Sequence, residues 1–292
     1  MTRFAGRLGD VNNSRLRVVA TNTLRRAVNS QEFIVRANDI LPVHIEIISG
    51  REEARLIYLG VSHTCPSHQQ RFVVDIGGGS TELIIGKNLN PILTESTHMG
   101  VAGFTQQFFG DGNINALSFE KAIYVAQKEI IKYGSHYKKT GFEEAVGSSG
   151  TIKTIQQAIA GFGLGDEITL AGVEQLKSSL IACGHIDAID MAGVKSHRKG
   201  IFPAGVAILL AIMRVFGIRL LRYCDGALRE GVMYDMLSRM DFHDVRDDSV
   251  GMLIDRFGVD KKQAKRVAKT AGSLFNQVHK PLGLAIEGEY ML

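Results

Sequence analysis

A glycine-rich turn with an acidic residue on each side is the segment of this chain best suited to chemistry. Asp75 lies near the end of one apolar run, Gly77–Gly79 follow, and Ser80, Thr81 and Glu82 lead into a second apolar run. Because glycine has no Cβ, three consecutive glycines let backbone N–H groups approach an anion closely. A carboxylate beside such a turn suits Mg²⁺, which is held by one or two carboxylates together with phosphate oxygens. These residue types predict a site for phosphate and a divalent cation.

The same pattern also has a purely structural interpretation, because glycines between two apolar runs form ordinary β-hairpins. Two common nucleotide-binding signatures are absent. The chain has no Gly-x-x-x-x-Gly-Lys-Ser/Thr string, and residues 81–85 read as a strand rather than as the start of a helix. The P-loop and the Rossmann fingerprint therefore both lack their context. A hairpin and an anion-binding turn remain open for this segment.

A second small-residue segment, Gly147–Thr151, follows the apolar pair Ala145 and Val146 and precedes isoleucines at helical spacing. This order is typical of a strand, a loop and a helix start, where backbone N–H groups are free to hold an anion. We expect the turns at 77–81 and 147–151, which lie on separate α/β units, to close on one ligand from two sides.

Apolar runs and amphipathic segments predict the elements that must position these turns. The predicted strands are 17–21, 45–48, a hairpin over 72–86, 144–146 and 220–223. The predicted helices are 1–9, 23–38, one after Ser49, 119–133, one from Ile152, 203–216, one opened by 225–231, and one with an apolar face from Val267 to Phe275. Residues 62–70 are predicted to be a polar linker.

The bulk composition limits the class of protein. At 292 residues the chain is long enough for two domains. Its 45% hydrophobic and 22% charged residues are those of a soluble globular protein. The net charge of +4 favours an anionic substrate but is too small to indicate nucleic acid by itself.

Membrane spans and disulfides are not expected from the sequence. The most apolar stretch, Pro203–Phe216, is too short and interrupted to span a bilayer, and no signal peptide is visible. Cys65, Cys183 and Cys224 are odd in number and far apart in the sequence. Their spacing predicts three reduced thiols in a cytoplasmic protein and no metal site.

Five motifs, in order, resemble those of the exopolyphosphatase/guanosine pentaphosphate phosphohydrolase (Ppx/GppA) family. They are Ala20–Arg25, Ile48–Leu56, Val74–Leu83, Gly147–Thr151 and Asp225–Gly231. The resemblance covers residues 17–240. It implies an α/β fold of the actin-like ATPase superfamily, with two ribonuclease-H-like domains and the site in the cleft between them.

The resemblance also implies domain limits. Residues 1–67 correspond to an incomplete first domain, 68–240 to the second domain, and 241–292 to the beginning of a helical C-terminal region. Family members begin with an Asp-x-Gly-Ser-type first phosphate loop, and no such string occurs before Arg17. We therefore expect the first domain to lack its opening strands and half of the phosphate and metal clamp.

Carried over to this chain, the family's site residues take definite roles. Glu53 would activate or orient the attacking water, Glu82 would be a second catalytic carboxylate, and Asp75 would coordinate the metal. The implied phosphate-binding residues are Arg25, Gly77, Gly78, Gly79, Ser80, Thr81, Gly147, Ser148, Ser149 and Gly150. Phosphoanhydride hydrolysis needs charge neutralisation and an in-line water, which arginine and carboxylates can supply.

Several of these residues have structural alternatives. Glu53 lies in a predicted first helical turn, where acids occur because they favour the positive end of the helix. Arg25 would serve equally as a solvated helix residue. Residues 195–199, Lys-Ser-His-Arg-Lys, fit either a charged loop or the lining of a polyphosphate path.

The function implied by the resemblance is release of terminal phosphate from inorganic polyphosphate with Mg²⁺ as the cofactor. The alternatives are hydrolysis of guanosine pentaphosphate, a truncated and catalytically weak phosphate-binding remnant, and an actin-like ATP-dependent kinase. We further expect a homodimer, with no nucleic acid partner and no integral membrane segment. The expected location is the cytoplasm, with peripheral attachment to the membrane as the alternative.

Overall fold

The computed structural model describes residues 1–8, 11–240, 254 and 258–278. The chain divides into two compact units, Met1–Leu237 and Ser238–Leu292. All of the predicted site residues belong to the first unit. In the second unit, Lys261–Val278 forms a helix, as the apolar spacing predicts, with five basic residues in its first half.

The first unit begins with a small β-α-β arrangement. Its elements are helix α1 (Thr2–Leu8), strand β1 (Val18–Ala20), helices α2 (Asn22–Arg26) and α3 (Ser30–Asn38), and strand β2 (Ile45–Ile47). β1 and β2 pair in parallel, and Val18 lies opposite Ile45. The single helix predicted over 23–38 is wrong, since Ala27 has an extended backbone that ends α2.

Helix α4 (Gly50–Thr64) follows β2 directly. The Ser49 side chain accepts a hydrogen bond from the backbone N–H of Glu52 at 3.2 Å and so caps the helix that the sequence predicts after it. Ala54, Ile57, Tyr58 and Val61 on one face pack against the next sheet, while Leu56 on another face packs against Ile48. The helix is therefore buried on two sides. It extends to Thr64, and the linker that was predicted to begin at 62 is correspondingly shorter.

A six-stranded sheet forms the larger part of the unit. Its strands are β3 (Gln70–Ile76), β4 (Thr81–Lys87), β5 (Asn90–Thr97), β6 (Glu144–Ser148), β7 (Ile168–Thr169) and β8 (Leu220–Tyr223), in the order β5-β4-β3-β6-β8-β7. β3, β6 and β8 are parallel, and β4 is antiparallel to β3, which confirms the predicted hairpin. Because β3 and β6 are parallel neighbours, the two predicted turns follow adjacent strand ends.

Helices cover this sheet and complete the core. They are α5 (Val101–Phe108), α6 (Ala116–Thr140), α7 (Ser149–Gly161), α8 (Leu170–Cys183), α9 (Phe202–Phe216) and α10 (Leu228–Met240). α6 is longer than predicted, because Asn115 and Ser118 form a capping box at its start. α10 begins at Leu228, three residues later than the motif at 225–231 suggests. β5, β7, α5 and α8 were not predicted.

α9 is an apolar core helix. With the short helical turn before it, Ser196–Phe216 is long and apolar enough to cross a membrane by length and composition, but 72% of its most apolar window is buried inside the fold. It packs among α6, α8 and the sheet, where a continuous apolar surface is expected of a helix buried on all sides.

The prediction of three reduced cysteines is wrong for two of them. Cys65 and Cys224 form a disulfide across a sequence separation of 159 residues, while Cys183 is free. The sequence argument failed because distance along the chain does not limit distance in space. Folding brings the end of α4 against the segment that follows β8.

Candidate functional site

Three buried polar side chains lie side by side at one edge of the six-stranded sheet. Asp75 on β3 is directly opposite Glu82 on the antiparallel strand β4 and beside Ser148 on the parallel strand β6. All three are at least nine-tenths buried. The hydroxyl of Ser148 hydrogen-bonds Asp75, and that of Ser80 hydrogen-bonds Glu82. The strand register thus brings two of the predicted acids together.

Glu53 approaches from the first turn of α4. Arg25, at the end of α2, donates Nη1 hydrogen bonds to Glu53 Oε2 at 2.9 Å and to the carbonyl oxygen of Ile48 at 2.8 Å. Thr21 also hydrogen-bonds the Glu53 carboxylate. The prediction for Arg25 was contact with phosphate. The structure shows it bonded to Glu53, so it orients the carboxylate whether or not it also touches substrate.

The three acids share one electrostatic environment. Burial, together with the nearby charges of Glu53 and Asp75, raises the pKa of Glu82 to about 8. Burial and the charge of Glu53 raise the pKa of Asp75 to about 6, against the opposing effect of the Ser148 hydroxyl. Burial also raises the pKa of Glu53, although Arg25 acts in the opposite direction. Such shifts are typical of functional sites, and a bound cation would relieve the repulsion that contributes to them.

The turn at 77–80 keeps backbone donors available. The carbonyl oxygens of Gly77 and Gly78 accept hydrogen bonds from the N–H groups of Val101 and Ala102 at the start of α5. The Gly77 N–H donates to the carbonyl of Ser80. Within the described part of the chain, no acceptor pairs with the N–H groups of Gly78 and Gly79. The turn is therefore held by its carbonyls and can offer these N–H groups to an anion.

Close contacts explain why glycine is required in this turn. A Cβ built on Gly79 would lie 2.0 Å from Asn22 Nδ2, and one on Gly100 would lie 2.4 Å from the Gly79 Cα. Gly78 has no heavy atom within 4 Å of such a Cβ. Gly79 thus lies tightly against Asn22 and Gly100, whereas the space beside Gly78 is open to a ligand.

Ser80 and Thr81 differ in what their hydroxyls can do. The Thr81 hydroxyl is buried and donates to the carbonyl of Met99 at 2.6 Å, so in this structure it holds the adjacent loop. Ser80 is also buried, and its hydroxyl faces Glu82 rather than solvent. The backbone of this turn offers more to an anion than its side chains do.

The second turn is a direct junction between β6 and α7. Gly147 and Ser148 are still in the strand, so the predicted loop is shorter than expected, and Ser149 begins the helix with a φ of 86°. A left-handed φ is uncommon for serine and lets the chain turn abruptly. A Cβ on Gly147 would lie 2.5 Å from the Leu221 side chain, so packing against Leu221 explains why this position is glycine.

Arg198 lies against the start of α7. A Cβ on Gly150 would be 2.4 Å from Arg198 Nη2, and no described residue accepts a hydrogen bond from the half-buried Arg198 side chain. The segment 195–199, which the sequence left open between a charged loop and a phosphate path, therefore places one arginine beside the second turn.

Sequence reasoning missed Asn22 and Ser96. Asn22 is buried and lies against Gly79. It belongs to the motif Ala20–Arg25, which is the sequence signal that could have identified it as a site residue. Ser96 on β5 donates a hydrogen bond to Glu82 Oε1 at 2.8 Å. No pattern could have indicated Ser96, because β5 itself was not predicted and the contact depends on its register with β4.

The oxygen donors fit a hard divalent cation. Asp75 has Glu82 beside it, and Mg²⁺ needs only one or two carboxylates in addition to phosphate oxygens and water. Over the described residues, no group of three or more His, Cys, Asp or Glu side chains is arranged to hold a metal ion by itself. The donor set is therefore compatible with a cation that binds together with a phosphate ligand.

Comparison with known proteins identifies relatives of this chain. The Ppx/GppA phosphatase family matches residues 1–240. A guanosine-5′-triphosphate,3′-diphosphate pyrophosphatase of Aeromonas hydrophila subsp. hydrophila is 40% identical over 275 residues, which cover 94% of this chain and 55% of the relative. The chain thus spans about half the length of this curated relative.

Solved structures share the fold. The Aquifex aeolicus Ppx/GppA phosphatase, in its type II variant, is 25% identical with a TM-score of 0.64, over 80% of this chain and 78% of that one. An exopolyphosphatase from Cytophaga hutchinsonii is 20% identical with a TM-score of 0.72, over 81% of this chain and 79% of that one. The predicted two-domain, actin-like α/β fold is confirmed by these neighbours. The domain limits at 67 and 240 remain predictions.

Proposed function

Because the chain belongs to the Ppx/GppA phosphatase family, we propose that it hydrolyses the terminal phosphoanhydride bond of guanosine pentaphosphate. The site observation that carries this proposal is the placement of Glu53 and the Asp75–Glu82 pair beside the turn at 77–80. The name of the Aeromonas relative favours the nucleotide. It does not favour inorganic polyphosphate, which was the first expectation from the motifs.

In this proposal Glu53 orients and deprotonates the attacking water. Arg25 fixes the carboxylate through Oε2, which reduces the freedom of the base before substrate binds. A raised pKa makes Glu53 a stronger base near neutral pH than an exposed glutamate. The proton taken from water goes to the Glu53 carboxylate while the new oxygen–phosphorus bond forms. The bond from the terminal phosphorus to the bridging oxygen breaks, which releases phosphate and leaves the nucleotide one phosphate shorter.

The phosphate groups are bound by the two turns. The N–H groups of Gly78 and Gly79 would hold the terminal phosphate, where negative charge moves during transfer. The start of α7, with Ser149, Gly150 and Arg198, would hold the phosphates nearer the guanosine. Asp75 with Glu82 would hold Mg²⁺, which when bound neutralises charge on the phosphate oxygens.

The substrate is tested by phosphate-release kinetics with Mg²⁺ on guanosine pentaphosphate and on long-chain polyphosphate. We expect a higher kcat/KM for the nucleotide. A higher value for polyphosphate would replace the proposed substrate with the first expectation. Binding of both without turnover would support the remnant interpretation instead.

The role of Glu53 is tested with Glu53→Gln, which keeps the shape of the side chain and removes the base. We expect kcat to fall by about 10²–10⁴-fold, the usual contribution of a general base. Glu52→Gln is the matched control, because Glu52 is in the same helical turn but pairs with Arg55. Equal rates for Glu53→Gln and the wild type would remove Glu53 from this role.

A further inference from the structure

The disulfide joins the two places where the chain passes between its sheets. Cys65 directly follows α4 and precedes β3, which takes the chain into the six-stranded sheet. Cys224 follows β8, just before α10 returns to pack Val232 against Ile48 and Val19 beside the small sheet. One covalent bond thus connects the outgoing and the returning segments.

α4 and α10 also touch through their backbones next to this bond. A Cβ on Gly231 would lie 1.8 Å from the carbonyl oxygen of Leu56, and one on Gly60 would lie 2.1 Å from that of Ala227. With no side chains between them, a small movement of α10 along α4 moves the residues just before α10 by a similar amount. These are the residues linked to Cys65.

The segment from Cys224 to Gly226 supports the second turn of the site. The Cys224 N–H donates to the carbonyl of Gly147, and the Ser148 hydroxyl donates to that of Gly226, each at 2.9 Å. Asp225 pairs with Lys153 in the first part of α7 at 3.0 Å. Ser148 in turn hydrogen-bonds Asp75. Cys224 is therefore one hydrogen bond from the predicted phosphate turn, and its disulfide partner ends the helix that carries Glu53.

We propose that the Cys65–Cys224 disulfide is a redox-sensitive tether between the two halves of the site. In the oxidised protein it fixes the position of residues 224–226 relative to α4. Through these residues it also fixes the position of the second turn. Reduction frees this segment and weakens phosphate binding at the turn. The inference rests on the proposed function only in treating the second turn as a phosphate site.

The redox step is thiol–disulfide exchange with a small-molecule thiol. Its thiolate attacks the sulfur of Cys65, because that residue is half-buried whereas Cys224 is only 2% exposed. A mixed disulfide forms at Cys65, and Cys224 leaves as a thiolate that takes up a proton. A second small-molecule thiol releases Cys65 as a thiol and forms the small-molecule disulfide, so the two small-molecule thiols are oxidised and supply the two electrons that reduce the protein disulfide. The reverse exchange restores the tether.

Thiol counting tests whether the bond forms in the protein. After incubation with oxidised glutathione, removal of the reagent and denaturation, we expect one reactive thiol among the three cysteines, and after dithiothreitol we expect three. Three thiols after both treatments would overturn the proposal. Cys65→Ser should show two reactive thiols after either treatment, because it cannot form the disulfide.

Calorimetric titration with inorganic tripolyphosphate and Mg²⁺ tests the coupling. We expect reduction to weaken binding by about fivefold, the lower end of usual coupling between sites. Cys65→Ser should bind like the reduced wild type under both conditions, and Cys183→Ser should respond like the wild type. Equal affinity in both redox states of the wild type would overturn the tether.

Hydrogen exchange separates failure of this proposal from failure of the proposed function. Reduction should speed amide exchange in peptides covering 144–150 and 220–227 and leave peptides of α6 unchanged. Unchanged exchange at both segments would overturn the tether. Faster exchange with no tripolyphosphate binding in either state would instead overturn the phosphate site and uphold the mechanical link.

Discussion

Asp75 and Glu82 lie directly opposite one another across the antiparallel strands β3 and β4, with both carboxyl groups buried. A pair of acids in this position cannot ionise freely, because each charge is desolvated and repels the other. Desolvation and repulsion therefore destabilise the folded protein when the site is ionised and empty. Binding of a cation or a proton relieves this destabilisation. The pH and metal dependence of stability both follow from this pair.

We expect the metal-free protein to lose stability as the pH rises from about 4.5 to about 8. The folded protein keeps a proton on Asp75 up to a pKa of about 6 and on Glu82 up to a pKa of about 8, whereas the unfolded chain has already released both. Their contribution is fully present below the unfolded pKa values and is lost as pH passes the raised folded values. Urea unfolding at several pH values in the presence of a chelator measures this. Glu82→Gln should weaken the dependence of the unfolding free energy on pH, and exposed Glu120→Gln should leave it unchanged.

Mg²⁺ should stabilise the wild type at pH 8, where the site acids are most ionised. A cation that binds only the folded state at 100 times its Kd adds about 2.7 kcal/mol to the free energy of unfolding. Thermal melting with and without Mg²⁺ measures the effect. Asp75→Asn should lose most of this response, while exposed Asp187→Asn should keep it. An equal response in both variants would place the cation elsewhere.

Arg25→Ala should both destabilise the protein and slow the reaction. Removal of the guanidinium leaves the buried Glu53 carboxylate without its 2.9 Å partner. The expected loss of unfolding free energy is about 1–3 kcal/mol, as for other buried groups left without a partner. Arg26→Ala is the control, because Arg26 is the next residue of α2 and is exposed. Addition of Glu53→Gln to Arg25→Ala should recover part of the stability but none of the activity.

Alanine at the first turn should separate packing from ligand binding. Gly79→Ala should destabilise the fold, since its Cβ would collide with Asn22. Gly78→Ala meets no protein atom, so we expect unchanged stability but a raised KM for the phosphate substrate. Gly103→Ala on α5, which also meets no atom, is the control for both measurements. An unchanged KM for Gly78→Ala would show that phosphate does not approach this side of the turn.

Much of the local structure could be predicted from sequence because its causes are local. The apolar runs around Gly77–Gly79 specify a hairpin, and Ser49 before two acids specifies the start of α4. The failures have physical causes as well. The helix over 23–38 is interrupted at Ala27, where the residue types give no signal, and the strand β5 has too little apolar alternation to be recognised.

The sequence by itself determined the family and its α/β fold, because ordered motifs over 17–240 carry that information in residue types and spacing. It also placed Asp75, Glu82 and the glycine turn next to each other, because a hairpin needs only neighbouring residues. Only the tertiary structure decided that Arg25 holds Glu53, that Ser96 bonds Glu82, and that Cys65 meets Cys224. These contacts join residues far apart along the chain, and their geometry is set by the packing of helices on sheets rather than by any local pattern.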